Sequence, residues 1–149
     1  MQKKLKGLLV VEKFFQITPG GPVLVGAKCS KCGAVYFPQK KVCNKCFRND
    51  TMKVHPMAKK GEIVTYYVSH LSHIDIPIPY ASGYVYLPED DLTIFTIFTG
   101  WEPDEDRLFI GQQVELDYDI IRKDPWGNPI VAYVYRVVGD KKQANKKTA

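Results

Sequence analysis

The pattern of hydrophobic and polar positions changes character at Gly61. Beyond it, short runs rich in Val, Ile, Tyr, Phe and Thr alternate with turn-forming residues, a pattern typical of β-strands. Strands are predicted over residues 62–70, 80–87, 92–99, 113–122 and 130–138. Five short strands with a longer connection at 100–111 predict a C-terminal five-stranded OB-fold barrel. The aromatic residues in these strands are interpreted as barrel wall rather than as base-stacking platforms: Tyr66, Tyr84, Phe95 and Tyr133.

The N-terminal segment shows a helical period instead. Its apolar residues, including Leu5, Leu8, Leu9 and Phe15, recur at roughly 3.6-residue spacing, which predicts an amphipathic helix from about Gln2 to Gln16. The Pro-Gly-Gly-Pro run at 19–22 would end this helix. Its apolar face would cover either its own domain or a partner, and the sequence leaves both alternatives open.

All four cysteines of the chain lie between these two regions, as the pairs Cys29/Cys32 and Cys43/Cys46. Two CxxC turns separated by ten residues predict a tetrahedral Cys₄ metal site that leaves no position open for water, so a bound Zn²⁺ would be structural. Iron in a rubredoxin-like site uses nearly the same ligands as zinc, so the sequence leaves iron open as an alternative. Two disulfides or a redox dithiol would need an oxidising compartment or a thioredoxin-like context, and neither is visible. Gly33 after the first pair suits a positive φ.

Charge is distributed unevenly along a chain of 149 residues with a net charge of +5. Residues 27–61 hold nine Lys or Arg against one acidic residue, whereas residues 62–140 hold four against fourteen. Together with the change of pattern, this break predicts four regions. They are an N-terminal helix and linker at 1–26, a rubredoxin-like zinc ribbon at 27–60, the OB-fold at 61–140 and a disordered lysine-rich tail at 141–149.

Several classes of protein are excluded by what the sequence lacks. The apolar runs are far shorter than the roughly 18 residues that a membrane-spanning helix needs, and the N-terminus does not resemble a secretory signal. The sequence therefore predicts a cytoplasmic protein with no membrane partner. It also contains no glycine-rich phosphate loop of the nucleotide-binding types.

The order of these motifs resembles a family of bacterial and archaeal proteins that join a rubredoxin-like zinc ribbon to an OB-fold and accompany acyl-CoA enzymes. The matching features, in chain order, are Phe14-Phe15, segment 24–28, Cys29-x-x-Cys32-Gly33, Tyr36-Phe37-Pro38, Cys43-x-x-Cys46, and segments 61–66, 78–85 and 111–116. Family members often continue Phe-Pro with another proline and an arginine, whereas this chain has Gln39 and Lys40. A lysine there would meet a phosphate as a point charge rather than as a bidentate fork.

The resemblance implies a non-catalytic subunit that docks on a thiolase-fold catalytic subunit and helps to bind a coenzyme A ester. Relatives serve acetoacetyl-CoA thiolase–synthase assemblies, polyketide-type acyltransferases and aldolases that shorten steroid side chains. Another serves the 2-benzoylsuccinyl-CoA thiolase of anaerobic toluene degradation, a setting we also consider for this chain. The predicted contacts to CoA are the basic residues Lys40, Lys41, Lys59 and Lys60, with Tyr80 at the barrel mouth. Charge balance for a Cys₄ metal site is an equally good reason for Lys40 and Lys41.

The residues themselves agree that the chain is not an enzyme on its own. A thiolase needs a cysteine nucleophile with histidine acid–base groups in reach, yet every cysteine here is assigned to metal. Two other functions stay open: a single-strand nucleic-acid binder, which the acidic barrel region argues against, and a purely structural scaffold. The loop at 72–80, with Ile74, Ile76 and Ile78, either docks a partner or packs under the barrel end.

Overall fold

The computed structural model describes residues 8–9, 14–71, 75–102 and 108–138. Within these ranges the chain forms ten β-strands and no helix. In chain order the strands are β1 (Leu8–Leu9), β2 (Phe15–Thr18), β3 (Gly21–Cys29), β4 (Val35–Tyr36), β5 (Met52–Pro56), β6 (Lys60–Ser69), β7 (Tyr80–Leu87), β8 (Leu92–Thr99), β9 (Gln113–Lys123) and β10 (Pro129–Val137). No helix in these ranges is long and apolar enough to cross a membrane.

The last five strands close into a barrel. The sheet runs β10-β8-β7-β6-β9, and β9 pairs again with β10 to complete the ring. All contacts around it are antiparallel except β8–β10, which is parallel with Tyr135 opposite Phe98. This is the Greek-key closure of a five-stranded OB-type barrel. The predicted strands 62–70, 80–87, 92–99, 113–122 and 130–138 differ from the observed ones by at most two residues at any end.

The core lies inside this barrel and extends toward the metal-binding part of the chain. Alternate residues of each strand point inward, so Val85, Ile94 and Val131 are almost fully buried. Phe15 of β2 and Leu24 of β3 belong to the same buried cluster, although they lie outside the barrel strands. The two parts of the chain therefore share one continuous core.

The predicted N-terminal helix is wrong. Phe15–Thr18 is a strand that pairs antiparallel with β3, and the Pro19-Gly20 turn joins the two strands as a hairpin. Leu8–Leu9 pairs in parallel with Ile130 and Val131 of β10. A short apolar run fits a strand as well as a helix. Here an adjacent hairpin strand pairs with Phe15–Thr18, and a strand distant in sequence pairs with Leu8–Leu9. The remaining parts of the predicted helix, at 2–7 and 10–13, lie outside the described residues.

The metal-binding part is organised around β3. This strand pairs with β2 over its first half and with β4 and β5 over its second half. Gly26 allows the close approach, because a Cβ there would lie 2.5 Å from the carbonyl oxygen of Tyr36 and 2.7 Å from Sδ of Met57. Phe37, after β4, packs edge-on against Tyr133 of the barrel with ring centroids 5.9 Å apart. Strand β3 thus organises the metal-binding part, and Phe37 contacts the barrel.

Candidate functional site

The two cysteine turns have the same backbone construction. In the first, the N–H of Cys29 donates to Ala34 O, and the N–H of Gly33 donates back to Cys29 O, both at 2.9 Å. In the second, the N–H of Cys43 donates to Arg48 O at 2.9 Å, and the N–H of Phe47 donates to Cys43 O at 2.8 Å. Each turn therefore presents two cysteines from one side, which is what a shared metal ion requires.

The four sulfur atoms converge on one point. Sγ of Cys29 lies 4.0 Å from Sγ of Cys46, and Sγ of Cys32 lies 3.5 Å from Sγ of Cys43. All four ligand atoms lie within 4.8 Å of one another. Tetrahedral zinc with bonds of about 2.3 Å would place its sulfurs about 3.8 Å apart, so the arrangement fits a Cys₄ zinc site. All four predicted metal ligands are brought together, and none is left for other chemistry.

The predicted positive φ at Gly33 is confirmed, with φ at +76°. The equivalent position of the second turn is Phe47, which has φ at +56° although it carries a Cβ. Its phenyl ring is 83% exposed, so packing does not compensate for the unfavourable backbone. Sequence analysis missed this equivalence, because nothing in a CxxCF motif indicates a left-handed residue.

Neighbouring polar groups act on the cysteine sulfurs. A hydrogen bond with the Thr51 hydroxyl, at 3.3 Å, lowers the pKa of Cys29 to about 6. The Tyr36 hydroxyl lies 3.5 Å from Sγ of Cys43 and accepts a 3.1 Å hydrogen bond from the N–H of Asn44. The contact with Cys43 raises the pKa of Tyr36, which keeps its hydroxyl proton available for the sulfur. Tyr36 and Thr51 thus support the site from outside the ligand set.

Because the four cysteine sulfurs lie close together, the last of their thiol protons is hard to remove. Hydrogen bonds with Cys32, together with burial, raise the pKa of Cys46 to about 12. For Cys43, burial is outweighed by hydrogen bonds, the largest being from the N–H of Cys46, and its pKa is lowered. A divalent ion would displace the remaining protons and neutralise part of the thiolate charge. The convergence of the four sulfur atoms therefore fits a bound cation.

A groove lies beside the metal site, with a volume of about 510 Å³. Its lining includes the three lysines Lys40, Lys41 and Lys53 and the exposed apolar side chains Val42 and Val54. Nζ of Lys40 lies 5.1 Å from the centre of the Tyr36 ring, a cation–π contact. Lys53 was not predicted, because only the pairing of β5 with β3 brings it beside Lys40 and Lys41.

The other predicted CoA contacts lie elsewhere. Lys59 and Lys60 are exposed at the start of β6 and do not line this groove. Tyr80 lines a separate cavity of about 270 Å³ at the barrel end, together with Ile76, Pro79 and Trp101. Ile76 is buried there, whereas Ile78 is exposed and Ile74 lies outside the described residues. The structure thus groups Lys40 with Lys41 and leaves Lys59, Lys60 and Tyr80 outside their groove.

The exposed aromatics of the barrel form a second feature. Tyr84 of β7 and Phe95 of β8 lie opposite one another and contact edge to face on the outside of the barrel, with centroids 5.5 Å apart. Tyr66 is partly exposed, and the Tyr133 hydroxyl donates to Phe95 O at 3.2 Å. Of the histidines, His55 pairs with Asp90 and His70 is exposed, whereas His73 is not among the described residues.

The chain is similar to known proteins over about three quarters of its length. Residues 22–52 match the model of the ChsH2, rubredoxin-like zinc ribbon domain. A DUF35 domain-containing scaffold protein of Methanocaldococcus jannaschii is 30% identical over 115 residues, covering 76% of this chain and 79% of that protein. Benzoylsuccinyl-CoA thiolase subunit BbsA of Thauera aromatica is 30% identical over 117 residues, covering 78% of each.

Among solved structures, the Ltp2-ChsH2(DUF35) aldolase contains a similar chain. The two share 28% identity with a TM-score of 0.62, over 77% of this chain and 84% of that one. This match is much longer than the segment 22–52 that the zinc ribbon domain covers. The metal site, the barrel and these relatives together show that the chain belongs to the DUF35 family of zinc-ribbon accessory proteins.

Proposed function

We propose that this chain is a non-catalytic subunit of a thiolase-type complex. The observation that carries the proposal is the convergence of all four cysteines on one metal site, in a chain 30% identical to a benzoylsuccinyl-CoA thiolase subunit. Thiolase chemistry needs a cysteine nucleophile, and this chain has none to spare. The catalytic cysteine would therefore belong to a thiolase-fold partner.

The second part of the proposal concerns the lysine groove. Coenzyme A carries a 3′-phosphate and a pyrophosphate, and three lysines around one concave surface supply the point charges that such groups require. Val42 and Val54 offer apolar contact beside them. We propose that the groove holds the phosphorylated end of a CoA ester while the partner acts on the acyl group. Lys59, Lys60 and Tyr80 would then contact ligand only outside this groove.

The partner is identified by isolating the tagged protein from its native host and analysing what accompanies it by mass spectrometry. We expect a thiolase-fold subunit in stoichiometric amount, and CoA-dependent thiolysis that needs both chains. Assay with 2-benzoylsuccinyl-CoA and with acetoacetyl-CoA tests which acyl group is used. Recovery of the protein alone, or with nucleic acid only, would overturn the proposal.

The CoA contact is tested in the assembled complex by charge reversal. The double variant Lys40→Glu/Lys41→Glu is expected to weaken CoA binding at least tenfold, measured by calorimetry with CoA itself. Lys123→Glu, a single charge reversal on an exposed barrel position, is a first control and should bind CoA normally. If the groove variant keeps its affinity for CoA while the complex stays intact, the CoA contact is refuted and the subunit acts as a scaffold.

The two predicted lysine pairs are separated by the same assay. Lys59→Glu/Lys60→Glu changes the same charge at the start of β6, outside the groove. If the groove is the CoA site, this variant should lose less affinity than the groove variant. A larger loss would instead place the phosphates beside β6.

A further inference from the structure

Beyond Glu62 of β6, the β6–β7–β8 side of the barrel contains no charged residues in its strands. Residues 63–69, 80–87 and 92–99 contain no Asp, Glu, Lys or Arg, although the rest of this region is strongly acidic. The outer surface of an isolated barrel normally carries charges between its apolar residues. One exposed row, Thr65–Tyr84–Phe95, crosses the sheet, and Tyr67 is exposed beside it although its partner Ser82 is buried. This charge-free face has the composition of a protein interface and not of a solvated surface.

The face exposes large side chains. Tyr67 is 51% exposed, and Tyr84 and Phe95 are each 48% exposed. Tyr66 and Val68 are also exposed, and their cross-strand partners Gly83 and Ala81 are buried. Both surfaces of β6 are therefore open beyond Val64. Contiguous apolar patches of this kind mark interaction sites.

The edge of β6 is open as well. On the β9 side, backbone hydrogen bonds end at Ile63, which donates to Gln112 O at 3.0 Å and accepts from Gly111 N–H at 2.7 Å. From Val64 to Ser69, β7 is the sole strand that pairs with β6 within the described ranges. Alternate residues there direct an N–H and a C=O to the open side. The stretch contains neither lysine nor proline, the usual protections of a free edge.

We propose that this edge and face form the surface that docks the thiolase-fold subunit, an inference that rests on the proposed function. The partner adds an uncharged strand along Val64–Ser69 and covers Tyr84 and Phe95 with apolar side chains. Strand addition supplies main-chain hydrogen bonds, and the uncovered aromatics supply the apolar contact of a lasting assembly. Residues 63–69, 80–87 and 92–99 contain no charge that this contact would desolvate.

A second copy of this chain fits the surface less well. Two copies joined edge to edge through β6 would extend one sheet across the pair. Tyr84 and Phe95 project from the sheet surface at a distance from that edge, so they would stay exposed. Covering the edge and the face together requires a partner of different shape, which a catalytic subunit provides.

The test uses the thiolase-fold subunit recovered with the wild-type chain. Tyr67→Lys and Tyr84→Lys each place a charge on the half-exposed face without altering the core. We expect each to weaken binding of the recovered subunit at least tenfold. Trp126→Lys, at an aromatic that is 84% exposed in the β9–β10 turn, is the matched control and should bind normally. Zinc content and melting temperature confirm that the variants are folded.

Hydrogen exchange gives a readout of the edge itself. In the complex, exchange should slow by at least tenfold at those amides of residues 64–69 that face the open side. Wild-type binding by both lysine variants, or unchanged exchange, would overturn the docking surface while the proposed function stands. Concentration-dependent dimerisation that Tyr67→Lys abolishes, with partner binding unchanged, would assign the edge to a second copy. Failure of the wild type to bind a thiolase-fold subunit would remove both proposals.

Discussion

His55 of β5 and Asp90 of the β7–β8 turn connect the metal-binding part to the barrel. Nε2 of His55 lies 2.8 Å from Oδ1 of Asp90, and Oδ2 of Asp90 accepts a 2.6 Å hydrogen bond from the N–H of Ala58. The Asp90 side chain is only 7% exposed. One carboxylate therefore holds both the last strand of the metal-binding part and the link into β6.

Removing this carboxylate should loosen the junction. Asp90→Ala leaves the buried Ala58 N–H and the His55 ring without their partner, which is expected to cost about 1–3 kcal/mol of unfolding free energy. Urea denaturation measures the difference. Glu89→Ala, at an exposed position in the same turn, is the control and should change stability by less than about 0.5 kcal/mol. Equal effects of the two variants would contradict the role of Asp90.

Removal of the metal should affect the two cysteine turns more than the barrel. The turns contain few buried side chains other than Cys29 and Cys43, whereas the barrel has its own apolar core. After treatment with a chelator, we expect amide protection to disappear around residues 29–51 and to persist in β7 and β8. Zinc affinity should fall as the pH falls, since protons compete for the thiolates. Loss of protection throughout the chain would show that the metal also holds the barrel.

The equivalence of Gly33 and Phe47 makes opposite predictions for two substitutions. Gly33→Ala places a Cβ at φ +76° and should destabilise the zinc-bound protein by about 1 kcal/mol. Phe47→Gly removes the Cβ at φ +56°, and we expect it to be neutral or stabilising, by up to about 1 kcal/mol. Thermal unfolding of the zinc-loaded variants measures both. A loss in Phe47→Gly as large as that in Gly33→Ala would mean that the exposed phenyl contributes packing.

Two neighbouring tyrosines of β10 differ in how their hydroxyls are satisfied. Tyr135 is fully buried, and its hydroxyl has no hydrogen-bond partner among the described residues; burial raises its pKa. Tyr135→Phe should therefore raise the unfolding free energy by about 1 kcal/mol. Tyr133→Phe removes the hydrogen bond to Phe95 O and should lower the unfolding free energy by about 1 kcal/mol. Denaturant unfolding of both variants measures these changes. A lower unfolding free energy in Tyr135→Phe would indicate that the wild-type hydroxyl has a hydrogen-bond partner outside the described residues.

The Arg48–Asp50 pair makes the stability of the fold depend on pH, and the direction of this dependence follows from the pKa of Asp50. A bidentate hydrogen bond from the Arg48 guanidinium, at 2.8 and 2.9 Å, lowers the pKa of Asp50 to about 2. A depressed carboxyl pKa stabilises the fold above the unfolded pKa, and this contribution is lost as the pH falls through about 2. At the lowest pH at which zinc stays bound, carboxyl NMR should show Asp50 more protonated in Arg48→Gln than in the wild type, because its midpoint moves back toward 3.8. An unchanged midpoint would assign the shift to another group.

Much of the barrel and the metal site could be predicted from local sequence. Each barrel strand is a run of β-branched and aromatic residues bounded by turn formers, so its ends are visible without knowledge of its partners. The CxxC spacing likewise contains the whole ligand set, because each pair is local to one turn. The helix prediction was wrong for the opposite reason. Leu8–Leu9 is made a strand by Ile130 and Val131, residues far along the chain.

Local sequence was thus enough to identify the five barrel strands and the four cysteines that are positioned to bind a metal. The folded arrangement was needed to show that Lys53 joins Lys40 and Lys41 around one groove and that Tyr80 lies in another cavity. It also decided that β6 keeps an open edge beyond Ile63. Strand pairing sets these relationships, and pairing depends on contacts between residues that the chain itself keeps far apart.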